Sequence, residues 1–518
     1  MNFAEHAARA VCSVFIECFG GRLGPKKTGI SDRSVLLFSV LILLGAAAVY
    51  SRTLASFFVY DDFFAFTSYA KMMAGEAGLF DRFAWLTSVL SFIPQMALSG
   101  GDPFWFNLGN LLLHLLNVLL LGYAAFLITG KKPAALLAMA FFALSSQGCE
   151  AVLWISARCH LLVFTFILLS LIWFILWRRG GRNIFYVLSI LAALLAALSL
   201  FNGVIVPLIL AAWLFSEKKA GEKLKTGKAG KILLPYLLIS VMYGIIYLFI
   251  KTVHPVEQYF RPDKINFLRI GKYFLEYFDI FYVNVKLFLL NITDIFNFAG
   301  LAGLILLSVL ISKAKARGAR FSLLLMLCCI LGIFTVPTEN YYQFGRYKYL
   351  PLAGFCLYIA IMLISLFEKR SLIAKTVAAV LAASVLISGY IFISLEQGDH
   401  EYASEMHRLL AKDIQRVYPA LKGQVIAFED KFGYSMPLQI SGANIIKKPY
   451  FEKRGAAWLL IYPEDLLNFA LVSAGERGYW ERIKELPAGS AAQTLTFTSG
   501  GFVAGGNSPK NPGYFSRK

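Results

Sequence analysis

Two adjacent carboxylates, Asp61 and Asp62, stand in the stretch FFVYDDFFAF (57–66), with aromatic or aliphatic neighbours on both sides. Phe57, Phe58, Phe63 and Phe64 bracket the pair, so at least one carboxylate is expected to be partly buried, where an unpaired charge is costly. Two carboxylates this close need not titrate alike: one stays ionised while its neighbour takes up a proton or binds a hydroxyl or a cation. That suits general-base work on an alcohol or amine and leaves the acceptor unidentified. The competing reading is a solvated cap at a helix start, where Asp is favoured.

Three further groups of polar residues interrupt apolar sequence. In WFNLGNLLLHLLNVLLL, Asn107, Asn110, His114 and Asn117 are spaced three, four and three residues apart, which puts them on one helix face. Such a stripe must be satisfied by other helices or by a water-filled cavity, so it either bonds helices together or lines a site. His114 has no His or carboxylate at ligand spacing beside it, which weighs against a metal. SSQGCEAVLWISARCHLL carries Glu150, Arg158 and His160 just before an apolar block. Arg158 and His160 suit a phosphate near the lipid surface, or else Arg158 pairs with Glu150 or anchors in the headgroup layer. PTENYYQFGRYKYLPLAG places Glu339, Arg346, Lys348 and Tyr349 directly before another apolar block. Arg offers two parallel donors to a phosphate or pyrophosphate and stabilises charge growing on a leaving group; interfacial snorkelling is the alternative.

Of the 518 residues, 58% are hydrophobic and 16% charged, and the apolar ones come in blocks long enough to cross a hydrocarbon layer. The chain therefore reads as a polytopic membrane protein. Much of its +19 charge sits in short loops between these blocks, which excludes nucleic acid as the reason for it. Spanning helices are expected near 34–51, 106–128, 134–147, 160–177, 184–200, 203–216, 232–250, 298–311, 321–336, 350–367 and 376–395, about eleven in all.

The connections fall into two kinds. GPKKTGISDR, GKKP, WRRGGR, SEKKAGEKLKTGKAGK, SKAKARGAR and EKRSLIAK are basic, as cytoplasmic loops are. The alternate connections, 52–105, 146–159, around Asn202, 251–297 and 337–349, hold the aromatic and acidic residues and are expected to face outward. Arg346 and Lys348 thus run against the orientation rule, which asks for a reason. Segment 251–297 alternates aromatics with charges and reads as helices along the outer interface.

Residues 1–33 are expected to be a cytoplasmic interfacial segment and 34–396 the transmembrane domain. From 397 the apolar blocks stop, and strand-like runs such as QVIAFE and WLLIYP alternate with helical ones, so 397–518 is expected to be a small extracytoplasmic α+β domain. Seven cysteines show no disulfide framework or zinc spacing, and pairing of Cys149 with Cys159 stays open.

With these residues in place, the membrane part resembles the GT-C superfamily of lipid-phosphosugar-dependent glycosyltransferases. VYDDFFAF resembles its acidic motif in the first outer loop. FNLGNLLLHLLN followed by SSQGCEAVLWISARCHLL, and the later FGRYKYLPLAGF, are similar to the tetratricopeptide-repeat transmembrane mannosyltransferases of that superfamily. The matches are scattered over roughly 60–350 in the family's order. The tetratricopeptide array is absent and Cys159 follows Arg158 where the related group has a small or acidic residue. The resemblance implies a GT-C type helical bundle, mainly α, and a polyprenyl-phosphate-linked sugar donor. It implies transfer outside the cytoplasm, with Asp61 or Asp62 deprotonating a hydroxyl of a glycan, lipid or protein acceptor and inverting the anomeric carbon.

The remaining site residues, Asn110, His114, Asn117, Glu150, Arg158, His160, Glu339, Arg346, Lys348 and Tyr349, are expected to bind substrate. No cofactor is demanded and a divalent cation is left open; the setting is a bacterial inner membrane. Two other classes compete. An O-antigen ligase or polymerase would call for a long late outer loop with several Arg, and a transporter or flippase for charged or broken helices near mid-bilayer. Asn202-Gly203 is the one obvious break.

Overall fold

The computed structural model describes residues 31–59, 62, 85–99, 101–217, 226–253, 293–316, 318–333 and 345–421, and strand segments 425–430, 450–454, 457–461, 472–473, 492–498 and 501–504. The opening segment up to residue 30, residues 254–292 of the expected interfacial segment 251–297 and the tail from 505 fall outside the described residues; 251–253 and 293–297 are helical.

Helix α1 (Asp32–Tyr50) starts on Ser31, whose side chain accepts from Ser34 N at 3.1 Å, a hydroxyl cap that satisfies one orphan donor. It is followed by a 3-10 turn, Ser51–Ala55. Helix α2 (Leu86–Ser99) lies inside the stretch that the sequence assigns to an outer loop. Helix α3 (Pro103–Thr129) is bounded by an Asp102 cap and Pro103 at its first turn and by Gly130 at φ 71°, a left-handed stop that favours glycine. There follow α4 (Lys132–Ala143), the short α5 (Glu150–Leu153), α6 (Arg158–Arg178), α7 (Asn183–Ser199), α8 (Val206–Ser216), α9 (Thr226–Val253), α10 (Thr293–Lys313), α11 (Ala319–Ile333), α12 (Tyr349–Phe367) and α13 (Leu372–Leu421).

The chain is a helical membrane protein: among the described residues six stretches, Asp32–Ala55, Pro103–Thr129, Ile155–Arg178, Ala229–Phe249, Gly345–Phe367 and Leu372–Glu405, are long and apolar enough to cross a bilayer. Each expected spanning segment overlaps a helix among the described residues, but several of these helices, such as Lys132–Ala143 and Asn183–Ser199, are shorter apolar ones of 10–17 residues.

Burial sorts the six. The most apolar windows of α6, α12 and α3 are 78%, 67% and 61% buried, against 22%, 17% and 11% for α1, α13 and α9, so the first three form the centre. The outer helices turn Leu37, Leu41, Leu44, Leu238, Met242 and Ile387 outward, where hydrocarbon rather than water is the solvent.

Because lipid offers no hydrophobic drive between helices, small residues and interhelical hydrogen bonds carry the packing. A Cβ on Gly354 of α12 would stand 2.6 Å from Ser322 O and Met326 N of α11. Ser170 Oγ of α6 donates to Ser189 O of α7 at 2.9 Å, Ser189 Oγ returns a bond to Ser170 O at 2.7 Å, and Tyr236 OH of α9 donates to Ser189 Oγ at 2.8 Å.

Ion pairs mark the two ends of the bundle. Lys132 with Asp32 at 2.5 Å and Lys131 with Glu368 at 2.6 Å gather basic connections at one end. At the other end Arg52 pairs with Glu401 at 2.5 Å, Gln397 Nε2 donates to Thr53 Oγ1 at 3.2 Å, and Phe57 N donates to Ser404 Oγ at 2.5 Å.

Helix α13 runs unbroken through residue 397, where the sequence places a domain boundary, so the chain leaves the apolar layer as continuous helix. Beyond it, β1 (Val425–Asp430) pairs in parallel with β4 (Val472–Ser473) and β5 (Ala492–Thr498), and β5 pairs antiparallel with β6 (Gly501–Ala504). Strands β2 (Tyr450–Arg454) and β3 (Ala457–Ile461) form a separate antiparallel pair.

Candidate functional site

The turn between α4 and α6 is the meeting point. Residues 145–157 form short 3-10 and α pieces, which leave several backbone groups facing other segments. Asp62 is fully buried and reaches this turn from the acidic segment. Its Oδ1 accepts from Ser156 N at 2.8 Å and Ser156 Oγ at 2.5 Å, and its Oδ2 accepts from Val59 N at 2.9 Å. A carboxylate carrying charge-assisted bonds from three donors is strongly held in place. Asp61 lies outside the described residues.

The late segment arrives at the same turn from the other side. Arg346 sits in the 3-10 turn Gly345–Lys348 that leads into α12. Its Nη1 donates to Glu150 Oε1 at 2.6 Å and its backbone N to Glu150 Oε2 at 3.0 Å, so both carboxylate oxygens of Glu150 are used. The guanidinium carbon stands 4.3 Å from the Trp154 ring centroid and 5.1 Å from that of Tyr347, within cation–π range. Trp154 Nε1 in turn donates to Val59 O at 3.4 Å. One indole thus links the acidic segment to the late arginine. A Cβ on Gly345 would touch Glu150 Oε2 at 3.4 Å, so the two turns lie in contact.

His160 is buried, with its ring edge-on to Tyr347 at 5.0 Å between centroids. Its Nδ1 has no hydrogen-bond partner among the described residues, and a buried polar atom left so is costly. Lys348 is half-buried in the turn beside Arg346. Glu339 lies outside the described residues.

Arg158 is differently placed. Only 2% exposed, it spends its guanidinium on protein: Nε donates to Asn110 Oδ1 at 2.7 Å, Nη2 to Phe106 O at 2.8 Å, and Nη1 to Gln95 Oε1 and to Ser91 Oγ at 3.4 Å. Its charge lies 4.2 Å over the Phe92 ring and is attracted by the Asp62 carboxylate. It does not pair with Glu150, which Arg346 takes instead. Ser91, Phe92 and Gln95 belong to α2 and were not singled out in the sequence. The signal was there: Ser88, Ser91 and Gln95 recur three and four residues apart, the period of one helix face.

The polar stripe of α3 is wholly buried and bonds helix to helix. Asn107 Nδ2 donates to Ser56 O at 2.9 Å and Asn110 Nδ2 to Trp154 O at 2.9 Å. His114 Nδ1 lies 2.9 Å from Tyr349 OH; Asn117 Nδ2 donates to Leu161 O at 3.0 Å, and Thr165 Oγ1 to Asn117 Oδ1 at 2.7 Å. The structure therefore brings Asp62, Glu150, His160, Arg346 and Lys348 to one end of the bundle, with Asn110 and Arg158 just beneath, and sets His114, Asn117 and Tyr349 one layer deeper.

Among the described residues, no group of three or more His, Cys, Asp and Glu side chains could hold a metal ion. Cys149 and Cys159 are both buried free thiols.

No family model matches the chain, and no curated protein does. Among solved structures the chain is similar to ArnT from Cupriavidus metallidurans in the apo state, at 12% identity and a TM-score of 0.47, covering 89% of this chain and 93% of that one. ArnT bound to undecaprenyl phosphate gives 13% identity and a TM-score of 0.45 over 88% and 92%. The Archaeoglobus fulgidus oligosaccharyltransferase tethered with an acceptor peptide gives 12% identity and a TM-score of 0.45, covering 75% of this chain; the chain spans 61% of that protein's length.

Proposed function

We propose that the chain is a membrane glycosyltransferase that moves a sugar from a polyprenyl-phosphate donor to an acceptor hydroxyl, with inversion at the anomeric carbon. The observation that carries this reading is the convergence of an acidic segment and a late arginine on one turn: Asp62 on Ser156, Arg346 on Glu150 and Trp154. Chemistry of this kind needs a base on the acceptor side and positive charge on the leaving phosphate, within reach of one saccharide.

One of the pair Asp61 and Asp62 takes the proton of the acceptor hydroxyl, whose oxygen attacks the anomeric carbon while the bond to the phosphate oxygen breaks. Both oxygens of Asp62 already accept protein donors, which favours Asp61 as the base and Asp62 as its anchor. Arg346 and Lys348, with the Nδ1 of His160, which has no hydrogen-bond partner among the described residues, are the groups for the departing phosphate. Glu150 and Trp154 hold Arg346 flat, and Glu339 belongs to the same late segment. Asn110, His114, Asn117, Arg158 and Tyr349 act as scaffold.

The isoprenoid chain of the donor stays in lipid, so only the sugar phosphate must reach the turn. The end that carries Lys131, Lys132 and Glu368 is cytoplasmic and the end that carries the site faces outward, in keeping with the basic loops. The membrane domain spans 34–396, with about eleven crossings if the shorter apolar helices also cross, and the strands after α13 belong to an outward α+β domain. The donor sugar is transferred to an envelope glycan, lipid or protein in a bacterial inner membrane.

Cells lacking the gene are complemented with the wild type, Asp61→Asn or Asp62→Asn, and their envelope glycans weighed by mass spectrometry. The reading requires a sugar that disappears without the gene and fails to return with at least one Asn variant. Full restoration by both folded variants sinks it.

A further inference from the structure

Among the described residues Arg158 is the largest fully buried side chain. Its donors go to two helices, α2 through Gln95 and Ser91 and α3 through Asn110 and Phe106 O. Asn110 closes the circuit, because its Oδ1 accepts from Arg158 while its Nδ2 donates to Trp154 O. The turn 154–158 is thereby fixed at both ends, and Ser156 between them supplies two of the donors that Asp62 accepts. Gly109 makes room for this: a Cβ there would overlap Gln95 Nε2 and stand 2.9 Å from Arg158 Nη2. An ionised side chain taken out of solvent is costly unless its donors are hydrogen-bonded. A guanidinium so thoroughly committed has little left to offer a ligand.

We infer that Arg158 is a positioning residue, which sets the Ser156 turn and through it the Asp62 carboxylate, and that it does not bind the donor phosphate. The catalytic half of this inference rests on the glycosyltransferase reading. The geometric half stands apart from it.

The full chain is reconstituted in nanodiscs as wild type, Arg158→Gln, Arg158→Lys, Gly109→Ala and Arg346→Gln. Amide exchange is read at Val59 and Ser156, the two backbone donors to Asp62. Arg158→Gln and Gly109→Ala are expected to speed exchange at these two amides about tenfold while the α3 amides stay unchanged, with Arg158→Lys in between. Binding of undecaprenyl phosphate stays within about twofold of wild type in both, whereas Arg346→Gln weakens it about tenfold. Turnover, measured with a lipid extract of the source membrane as donor, falls about tenfold in Arg158→Gln with the half-saturating amount unchanged, and Arg158→Lys recovers part of it.

Unchanged exchange at Val59 and Ser156 in Gly109→Ala and Arg158→Gln overturns the inference, as does a loss of undecaprenyl phosphate binding in Arg158→Gln equal to that in Arg346→Gln. Gly109→Ala displaces only the far ends of two side chains, so it keeps the test open should Arg158→Gln not fold. If wild type binds no undecaprenyl phosphate and forms no glycan, the enzymatic reading fails, and the exchange data still decide the positioning role.

Discussion

The guanidinium of Arg346 lies 4.3 Å from the ring centroid of Trp154, and the same indole donates to Val59 O three residues before Asp62. Two segments almost 290 residues apart in the chain are thus joined by one aromatic side chain, with Glu150 completing the seat of the arginine.

That seat is specific for a flat cation. Arg346→Lys keeps the charge but loses the stacking and the fork, and glycan formation is expected to fall about 100-fold, close to the loss of a transition-state donor. Glu150→Gln is expected to weaken the same step less. A double-mutant cycle on stability should return about 1–3 kcal/mol of coupling between the Glu150 and Arg346 side chains, which share the Nη1–Oε1 bond, while the backbone N–H bond to Oε2 survives in the Arg346 variants. Thermal unfolding in detergent measures it.

Asp62 and Ser156 form a buried unit. Ser156→Ala removes one donor of the three and is expected to cost about 1 kcal/mol. Asp62→Asn turns an acceptor into an NH2 that meets backbone N–H groups, and about 1–3 kcal/mol is the expected loss. Asp61→Asn is expected to leave the melting temperature unchanged while abolishing product, so melting and glycan mass together separate the two aspartates.

The deeper network is expected to act on stability rather than on turnover. Tyr349→Phe removes the hydroxyl that faces His114 Nδ1 at 2.9 Å and Asn117 Nδ2 at 3.3 Å, leaving buried polar atoms to seek other partners. A loss of about 1–3 kcal/mol with turnover within about twofold of wild type is the expected pattern. A large loss of turnover at unchanged stability would assign this layer to substrate instead.

Gly203 lies where the chain breaks between α7 and α8, and a Cβ there would overlap the backbone of Ala196. Backbone cannot yield as a side-chain tip does, so Gly203→Ala is expected to destabilise by about 1–3 kcal/mol or more. Gly45→Ala, on the lipid-facing α1 with nothing within 4 Å, is expected to be neutral. Size-exclusion profiles and melting of the two variants make the comparison.

The Cys149 thiol is buried, and burial pushes it well above its ordinary value, with Glu396 and Glu150 adding in the same direction. At neutral pH it stays protonated, and the thiolate is the reactive form. Maleimide labelling of the folded protein at Cys149 is therefore expected to be slow at pH 7 and to rise only in alkali, and to become fast after unfolding. Mass analysis of labelled peptides reads it.

The order of apolar blocks, the two chemical kinds of loop and the polar face of α3 were legible in the sequence, because helix periodicity and the cost of charge in hydrocarbon act locally along the chain. Asp62, Glu150, Arg158 and Arg346 stood out for the same reason, as polar groups in apolar surroundings. Their partners did not. That Glu150 takes Arg346 rather than Arg158, that Arg158 is clamped by α2 within a presumed loop, and that α13 continues through residue 397 all depend on which helices lie side by side. Hydrogen-bond geometry reaches only about 3 Å, so pairing between distant segments is fixed by packing and not by spacing in the chain.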